Sequence, residues 1–331
     1  MEVCGGHTMA IRKNGIHKLI GENIKLISGP GCPVCVTSIE DIDHILALSR
    51  IEDIVICTFG DLFNVPGTGG ANLAKRRAEG SDVRIVYSVK DVIALARAEK
   101  DKKFIFISIG FETTAPTTAA AVIQAHKDGL NNFFILPLNK TMPMALKAIL
   151  QDSSSDIDGL ICPGHVSTIA GIDMYNFIVD ELNIPCCVTG FEPTDILTSI
   201  YILTRQCEKK EAKLVNAYER AVKKEGNKKA RGIMDEVFEP SSAKWRGLGD
   251  IPESGLLLRS KYAGFNALNA FKIERPESIS VKDCICGDIL RGAKMPEECK
   301  LFKNSCIPSD PKGACMVSSE GSCAAAYRYG E

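Results

Sequence analysis

The residues of this chain best able to do chemistry are thiols. Fourteen cysteines stand among 331 residues, and their placement is uneven. Cys32 and Cys35 form a C-x-x-C pair inside Gly29-Pro30-Gly31-Cys32-Pro33-Val34-Cys35. The pair follows the apolar run Ile24-Lys25-Leu26-Ile27 and precedes Ser38 and Asp41, which read as the N-cap of a helix over Ile39–Ser49. That places both sulfurs on a strand-to-helix turn, where the positive end of a helix favours thiolate over thiol. Pro33 stiffens the turn between them. A C-x-x-C in this position suits disulfide exchange or metal binding, and the spacing alone does not choose. Cys4-Gly5-Gly6-His7-Thr8 is a second candidate, because two glycines after a cysteine allow a backbone to come very close.

Six more cysteines crowd the last fifty residues: Cys284, Cys286, Cys299, Cys306, Cys315 and Cys323, spaced C-x-C-x12-C-x6-C-x8-C-x7-C. Zinc ribbons and fingers use paired C-x2–4-C knuckles, which this pattern lacks. Well-separated thiolates on a loop-rich segment suit an iron–sulfur cube. The spacing predicts a [4Fe-4S] cluster on Cys299, Cys306, Cys315 and Cys323, with Cys284 and Cys286 left over. Cys57, Cys162, Cys186, Cys187 and Cys207 read as small buried apolar residues.

The elements that must position these groups alternate regularly. Short apolar strands are expected at Ile24–Ser28, Ile54–Thr58, Val83–Val86, Phe104–Ile109, Phe133–Leu136, Gly159–Cys162 and Pro185–Val188. Helices are expected at Met9–Leu19, Ile39–Ser49, Asn72–Gly80, Val89–Glu99, Thr117–Asp128, Pro143–Gln151, Asp173–Leu182, Thr194–Glu208 and Leu214–Lys224. This is the pattern of parallel sheets covered by helices, whose ligands collect at the carboxyl ends of the strands. The unusual residues fall at those ends, in Thr58-Phe59-Gly60-Asp61, Gly110-Phe111-Glu112-Thr113-Thr114, Cys162-Pro163-Gly164-His165 and Gly190-Phe191-Glu192. The recurrence of Gly-Phe-Glu reads as a faint internal repeat of two similar α/β units. Beyond about residue 236 the alternation stops and six prolines punctuate the chain. The expected fold class is α/β: two similar parallel-sheet domains around a cleft, over 1–110 and 111–235, plus a small, irregular Cys-rich iron–sulfur domain over 236–331.

The formal net charge of −1 gives no reason to expect nucleic acid or an anionic membrane as partner. No apolar run reaches the roughly 18 residues of a spanning helix, and Met-Glu-Val-Cys carries no signal-peptide pattern, so a cytoplasmic protein is expected. The glycine-rich loop Asn64–Gly70 lacks the spacing of a phosphate-binding P-loop and reads as a flexible loop or lid.

Taken together, Glu2–Thr8, Gly29–Cys35, Gly110–Thr114, Pro163-Gly164-His165-Val166-Ser167 and the C-terminal cysteines occur in an order that closely resembles the HypD family of [NiFe]-hydrogenase maturation proteins. The resemblance spans essentially the whole chain. It departs at the front, since members usually carry a few tens of residues before the first motif and here three precede Cys4. The resemblance implies a scaffold on which, with a HypC-type chaperone, an Fe(CN)2CO group is assembled on an iron ion. Cyanide would come from a HypE-type donor supplied by HypF, and the unit would pass to the hydrogenase large-subunit precursor. Carried over by motif, Cys4 anchors the iron, His7 is a ligand or proton donor beside it, and Cys32 and Cys35 are a redox-active dithiol fed by the cluster. Glu112, Thr113, Thr114 and His165 would line the same cleft. Plainer roles stay open: His7 bonding a backbone carbonyl, Glu112 capping its own helix, His165 serving structure alone. The alternative function is an iron–sulfur-dependent thiol/disulfide oxidoreductase working through Cys32 and Cys35, for which Cys4 would be dispensable.

Overall fold

A computed structural model describes residues 1–152, 156–274 and 276–330. The chain is a mixed α/β fold with two parallel sheets and one antiparallel hairpin. The first sheet has the order β2–β1–β3–β4, from β1 (Ile54–Thr58), β2 (Asp82–Ile85), β3 (Lys103–Ser108) and β4 (Phe133–Pro137). The second has the order β5–β6–β7, from β5 (Leu160–Pro163), β6 (Cys186–Thr189) and β7 (Leu214–Asn216). Every residue of β1, β5 and β6 is buried: β1 and β6 are central parallel strands, and β5, at a sheet edge, is covered there by residues 1–3. Pairing of β3 with β4 carries the first sheet past residue 110 to Pro137.

Local chemistry starts the helices where the sequence puts caps. Ser38 accepts from Asp41 N at 3.1 Å, and Asn72 accepts from Lys75 N at 2.8 Å. Ser88 and Asp91 form a reciprocal capping box for the helix Val89–Ala98. Both Gly-Phe-Glu triplets lie between a strand and the helix leading to the neighbouring strand, after β3 and after β6.

Three expectations are corrected. Ile24–Ser28 is not a strand of either sheet. Its pairing is confined to residues 27–29, which flank Glu2: Glu2 N donates to Ile27 O at 2.9 Å and Gly29 N to Glu2 O at 2.7 Å. The turn at Gly21 and the proline at 30 leave no length for a ladder. Residues 1–3 also bond to β5, through Ile161 N to Met1 O (2.9 Å) and Val3 N to Ile161 O (3.2 Å), and so extend the second sheet by one short rung. Met9–Leu19 is two helices, Gly5–Lys13 and Ile16–Leu19, because Gly15 takes a left-handed φ of 63°. Leu214–Lys224 is not a helix: its first residues are β7, and Asn216 then turns the chain by accepting from Tyr218 N and donating to Val222 O.

The loop Asn64–Gly70 is tied down rather than free. Buried Asp43 accepts from Thr68 N (2.8 Å), Thr68 Oγ1 (2.6 Å) and Ser278 Oγ (2.6 Å). The hairpin of β8 (Phe238–Trp245) and β9 (Gly249–Leu258) was not expected, and it buries Trp245 against Phe111, ring centroids 6.0 Å apart.

Gly31 is where the parts meet most closely. A side chain there would put its Cβ 2.2 Å from Cys4 N and 2.3 Å from Cys4 Cα. Gly31→Ala should destabilise the protein by about 1–3 kcal/mol in urea denaturation. Gly21→Ala, where a Cβ meets nothing within 4 Å, should change little. Equal effects of the two substitutions would contradict the close approach.

Candidate functional site

The parallel direction of the second sheet brings three loops to one edge. Val3 leads into Cys4, β5 into His165 and β6 into Gly190-Phe191. Cys4 caps the helix Gly5–Lys13 in extended conformation and is only 3% exposed. Its Sγ lies 3.8 Å from His165 Nδ1. Burial pushes the Cys4 thiol up to about 12, the nearby N–H groups of His7 and Gly6 only partly offsetting it. A free thiolate is therefore disfavoured near neutral pH.

His7 is fully buried. Its Nε2–H donates to Gly190 O at 2.8 Å and its ring stacks on Phe191 at 4.7 Å. Burial lowers its pKa to about 4, so the ring is neutral. One end of the imidazole thus meets a backbone carbonyl, while Nδ1 is buried with no hydrogen-bond partner. The ring of His165 lies 5.3 Å from the same Phe191, and its residue is exposed.

Cys32 and Cys35 are joined in a disulfide on the short helix Pro33–Val36, with Cys32 Sγ accepting from Cys35 N at 3.2 Å. The turn arises without a preceding strand. Gly5 N donates to Gly31 O at 3.1 Å, which ties this loop to the residue after Cys4. On its other side the helix Pro33–Val36 packs on the turn Ala314–Met316, which carries Cys315.

The six C-terminal cysteines converge. Cys284, Cys286, Cys299, Cys306 and Cys323 line one small cavity with Leu301, Phe302 and Met316. Gly313 lets the chain pass: a Cβ there would be 2.6 Å from Cys286 Sγ and 2.8 Å from Cys284 Sγ. The Cys315 thiol, fully buried behind the cavity, interacts with the sulfurs of Cys286 and Cys323, which hold its pKa below the usual thiol value. Cys284 is raised, first by the bond to Cys286 and then by burial. Cys299, Cys306 and Cys323 thus line one cavity together with Cys284 and Cys286, and Cys315 interacts with two of that group. Among the described residues no set of three His, Cys, Asp or Glu side chains is arranged around a single metal ion. The soft, all-thiol donor set fits an iron–sulfur cluster chemically.

Gly110-Phe111-Glu112-Thr113-Thr114 serves other groups. Glu112 Oε1 accepts from Met142 N at 2.9 Å, so it caps the helix Met142–Leu150 and not the one that follows it in sequence. Its Oε2 is buried without a partner. Thr114 Oγ1 donates to Ile109 O and Phe111 O and accepts from Asn139 Nδ2. Thr113 is half-buried. None of the three contacts Cys4 through a hydrogen bond given by the described residues.

Two carboxylates escaped the sequence reading as site residues. A side chain at position 5 would place its Cβ 2.5 Å from Glu320 Cβ and 3.1 Å from Glu320 Oε2, so Glu320 sits over the start of the Cys4 helix. Asp61, at the end of β1, accepts from Ser318 Oγ at 3.2 Å and its charge, after burial, helps raise the Glu320 pKa. Asp61 had a signal in its strand-end position. Glu320 had none.

Burial pushes the Glu112 pKa up to about 7 from 4.5. Between those pH values the folded protein holds a proton that the unfolded chain has released, so stability falls as pH rises from 4.5 to 7 and is level above. The slope is at most about 1.4 kcal/mol per pH unit. Glu112→Gln removes this penalty, so the stability of the variant relative to the parent should rise by on the order of 2–3 kcal/mol between pH 4.5 and pH 8. Urea denaturation at several pH values measures it, and a difference that does not vary with pH would refute the buried-acid assignment.

The HypD family profile, described as the "Hydrogenase formation hypA family", matches residues 1–330. The "Hydrogenase maturation factor HypD" of Rhizobium leguminosarum bv. viciae is 44% identical over 337 residues, covering 100% of this chain and 88% of that protein. The protein of the same name from Azotobacter vinelandii is 44% identical, covering 100% and 89%. That from Rhodobacter capsulatus is 41% identical, again covering 100% and 89%. A match across the full chain, with the cysteine and histidine motifs gathered at one sheet edge and one C-terminal cavity, establishes that this chain belongs to the HypD family.

Proposed function

We propose that the chain is a hydrogenase maturation factor that holds an iron ion at Cys4 while cyanide and carbonyl ligands are attached, with a sulfur relay behind it. The observation that carries this reading is the unbroken sequence of contacts from Cys4 to the C-terminal thiols. Gly31 lies against the Cys4 backbone, its neighbour Cys32 is bonded to Cys35, and the helix bearing Cys35 packs on the turn bearing Cys315. Two α/β units, each built on one parallel sheet, flank the cleft in this reading, and the segment beyond about residue 236 is the cysteine-rich unit.

The roles follow from the surroundings of each side chain. Cys4 anchors the cargo iron as thiolate, and its proton leaves on metal binding. His165 Nδ1, at 3.8 Å and open to solvent, is placed to receive it. His7 Nδ1 is a neutral, buried lone pair near the same edge and serves as a further donor toward the iron or its ligands. Cys32 and Cys35 accept two electrons and two protons to become a dithiol. The four for a [4Fe-4S] cluster in this reading are Cys299, Cys306, Cys315 and Cys323, with Cys284 and Cys286 as an adjoining thiol pair on the same cavity. When bound, such a cluster supplies single electrons. Glu112, Thr113 and Thr114 hold the helix ends that frame the cleft. A HypC-type chaperone, a HypE-type cyanide donor and a hydrogenase large-subunit precursor are the partners this chemistry requires. No helix among the described residues is long and apolar enough to cross a membrane. The disulfide-reductase alternative gains no support from the relatives, whose names concern hydrogenase.

Two measurements test the proposal. Protein purified anaerobically with its chaperone should give infrared bands in the cyanide and carbonyl stretching region, and Cys4→Ala should abolish them with the iron–sulfur chromophore retained. Bands surviving in Cys4→Ala would remove the anchor role. Replacement of Cys306 or Cys323 by Ala should lower bound iron and sulfide from about four of each per chain to near zero. Stoichiometric zinc in their place would refute the cluster.

A further inference from the structure

Arg246 sits in the turn between β8 and β9, and nothing in the cysteine motifs points to it. It touches both sulfur sites. Its N–H donates to Val36 O at 2.8 Å and its Nε to Thr37 O at 2.9 Å, the two carbonyls directly after Cys35. The next residue, Gly247, turns with φ 78° against Gly287, where a Cβ would come within 2.2 Å of Gly287 Cα. That contact fixes the turn beside Cys286. The first of those carbonyls, that of Val36, closes the helix Pro33–Val36, which packs on the turn Ala314–Met316 that carries Cys315. Yet one terminal nitrogen, NH2, is buried with no hydrogen-bond partner. Arg291, the neighbouring cation, is paired with Asp288 and donates to Gly247 O. Arg246 makes no ion pair among the described residues.

A buried guanidinium N–H left unpaired costs about 1–3 kcal/mol, more for a charged group, so its retention needs a partner that the neutral thiols do not supply. The contact of Gly247 with Gly287, next to Cys286, and of the Pro33–Val36 helix with the Cys315 turn makes the C-terminal sulfurs the neighbouring groups able to become anionic. We propose that Arg246 is a positioning and charge-compensating residue of the sulfur relay: its backbone-facing Nε fixes the segment after Cys35, and its free terminal N–H donates to an anionic sulfur of the C-terminal cysteine group. The inference rests on the reading of those cysteines as thiolates of a cluster and an adjoining thiol pair. A fixed positive charge stabilises the more negative, reduced state. Arg246 therefore raises the reduction potential on the C-terminal side of the contact with the Cys32–Cys35 helix.

The test uses Arg246→Met, which keeps the aliphatic stem, and Arg246→Lys, which keeps the charge without the fork. Iron and sulfide are measured first, then the midpoint potential by optical redox titration of the anaerobic protein, with thermal unfolding alongside. The Met variant should favour the oxidised state about tenfold more than the parent, a fall of about 59 mV for one electron, with the Lys variant between the two. A midpoint unchanged in the Met variant, with melting lowered, would reduce Arg246 to a structural brace and overturn the proposal. A parent that carries no iron or sulfide refutes the cluster reading, and the proposal, left without an anionic sulfur, falls with it.

Discussion

Everything in the site depends on one steric fact, the contact of Gly31 with the main chain of Cys4. Two backbones approach here closer than any side chain would allow. The approach has a direct consequence for position. Residues 1–3 are held as a rung between residues 27–29 and β5, and Cys4 emerges at the carboxyl edge of the second sheet beside His165 and Gly190. The C-x-x-C loop is thereby drawn onto a sheet to which it contributes almost no pairing. A conventional strand at 24–28 would have carried the disulfide at its own carboxyl end. The short rung instead puts the disulfide behind Cys4, between it and the C-terminal cysteines.

Burial then sorts the reactive groups by charge. Cys4 and Glu112 are driven toward their protonated forms, and His7 toward its neutral form, each chiefly by loss of solvent. The edge near Cys4 is thus poor in free charge in its resting state. Such an edge offers few of the ionised oxygen donors that a hard cation needs. The aromatic ring of Phe191, packed against both histidines, keeps water from their inner faces and holds the two imidazoles in relation to each other.

Much of this was legible in the sequence, and the reasons are local. β-Branched runs such as Ile54-Val55-Ile56 gave the parallel strands, Ser38 and Asn72 gave helix starts, and glycine-rich strand ends gave the loops that carry His165 and Phe191. What was not legible depends on contacts between distant segments. Glu112 has the look of a cap for its own helix, yet it reaches Met142, thirty residues on. In β8 half-buried residues alternate with exposed ones between buried Phe238 and Trp245, but Pro240, the serines and Lys244 hide it among loops. The cysteine spacings gave the group and not its inner order. Whether Cys284 or Cys315 faces the cavity is set by Gly313 and by the turn 314–316, which only the folded chain brings together.

The same hairpin joins the three regions energetically. Trp245 stacks on Phe111 from the first sheet, its indole N–H donates to Ser254 Oγ at 2.8 Å, and Lys140 holds its ammonium over the ring while donating to Lys244 O. Arg246, next in sequence, bonds the carbonyls that follow Cys35. One turn of chain therefore carries packing from the first sheet to the disulfide and to the C-terminal cysteines. A displacement of the segment after Cys35 is felt at Arg246, and Arg246 cannot shift without disturbing Trp245 and its stack on Phe111. Because interiors are close-packed, such a shift is resisted as a unit. The rigid placement of Arg246 thus follows from the aromatic stack that precedes it, and the sulfur sites inherit a fixed separation from a piece of the fold that carries no cysteine at all.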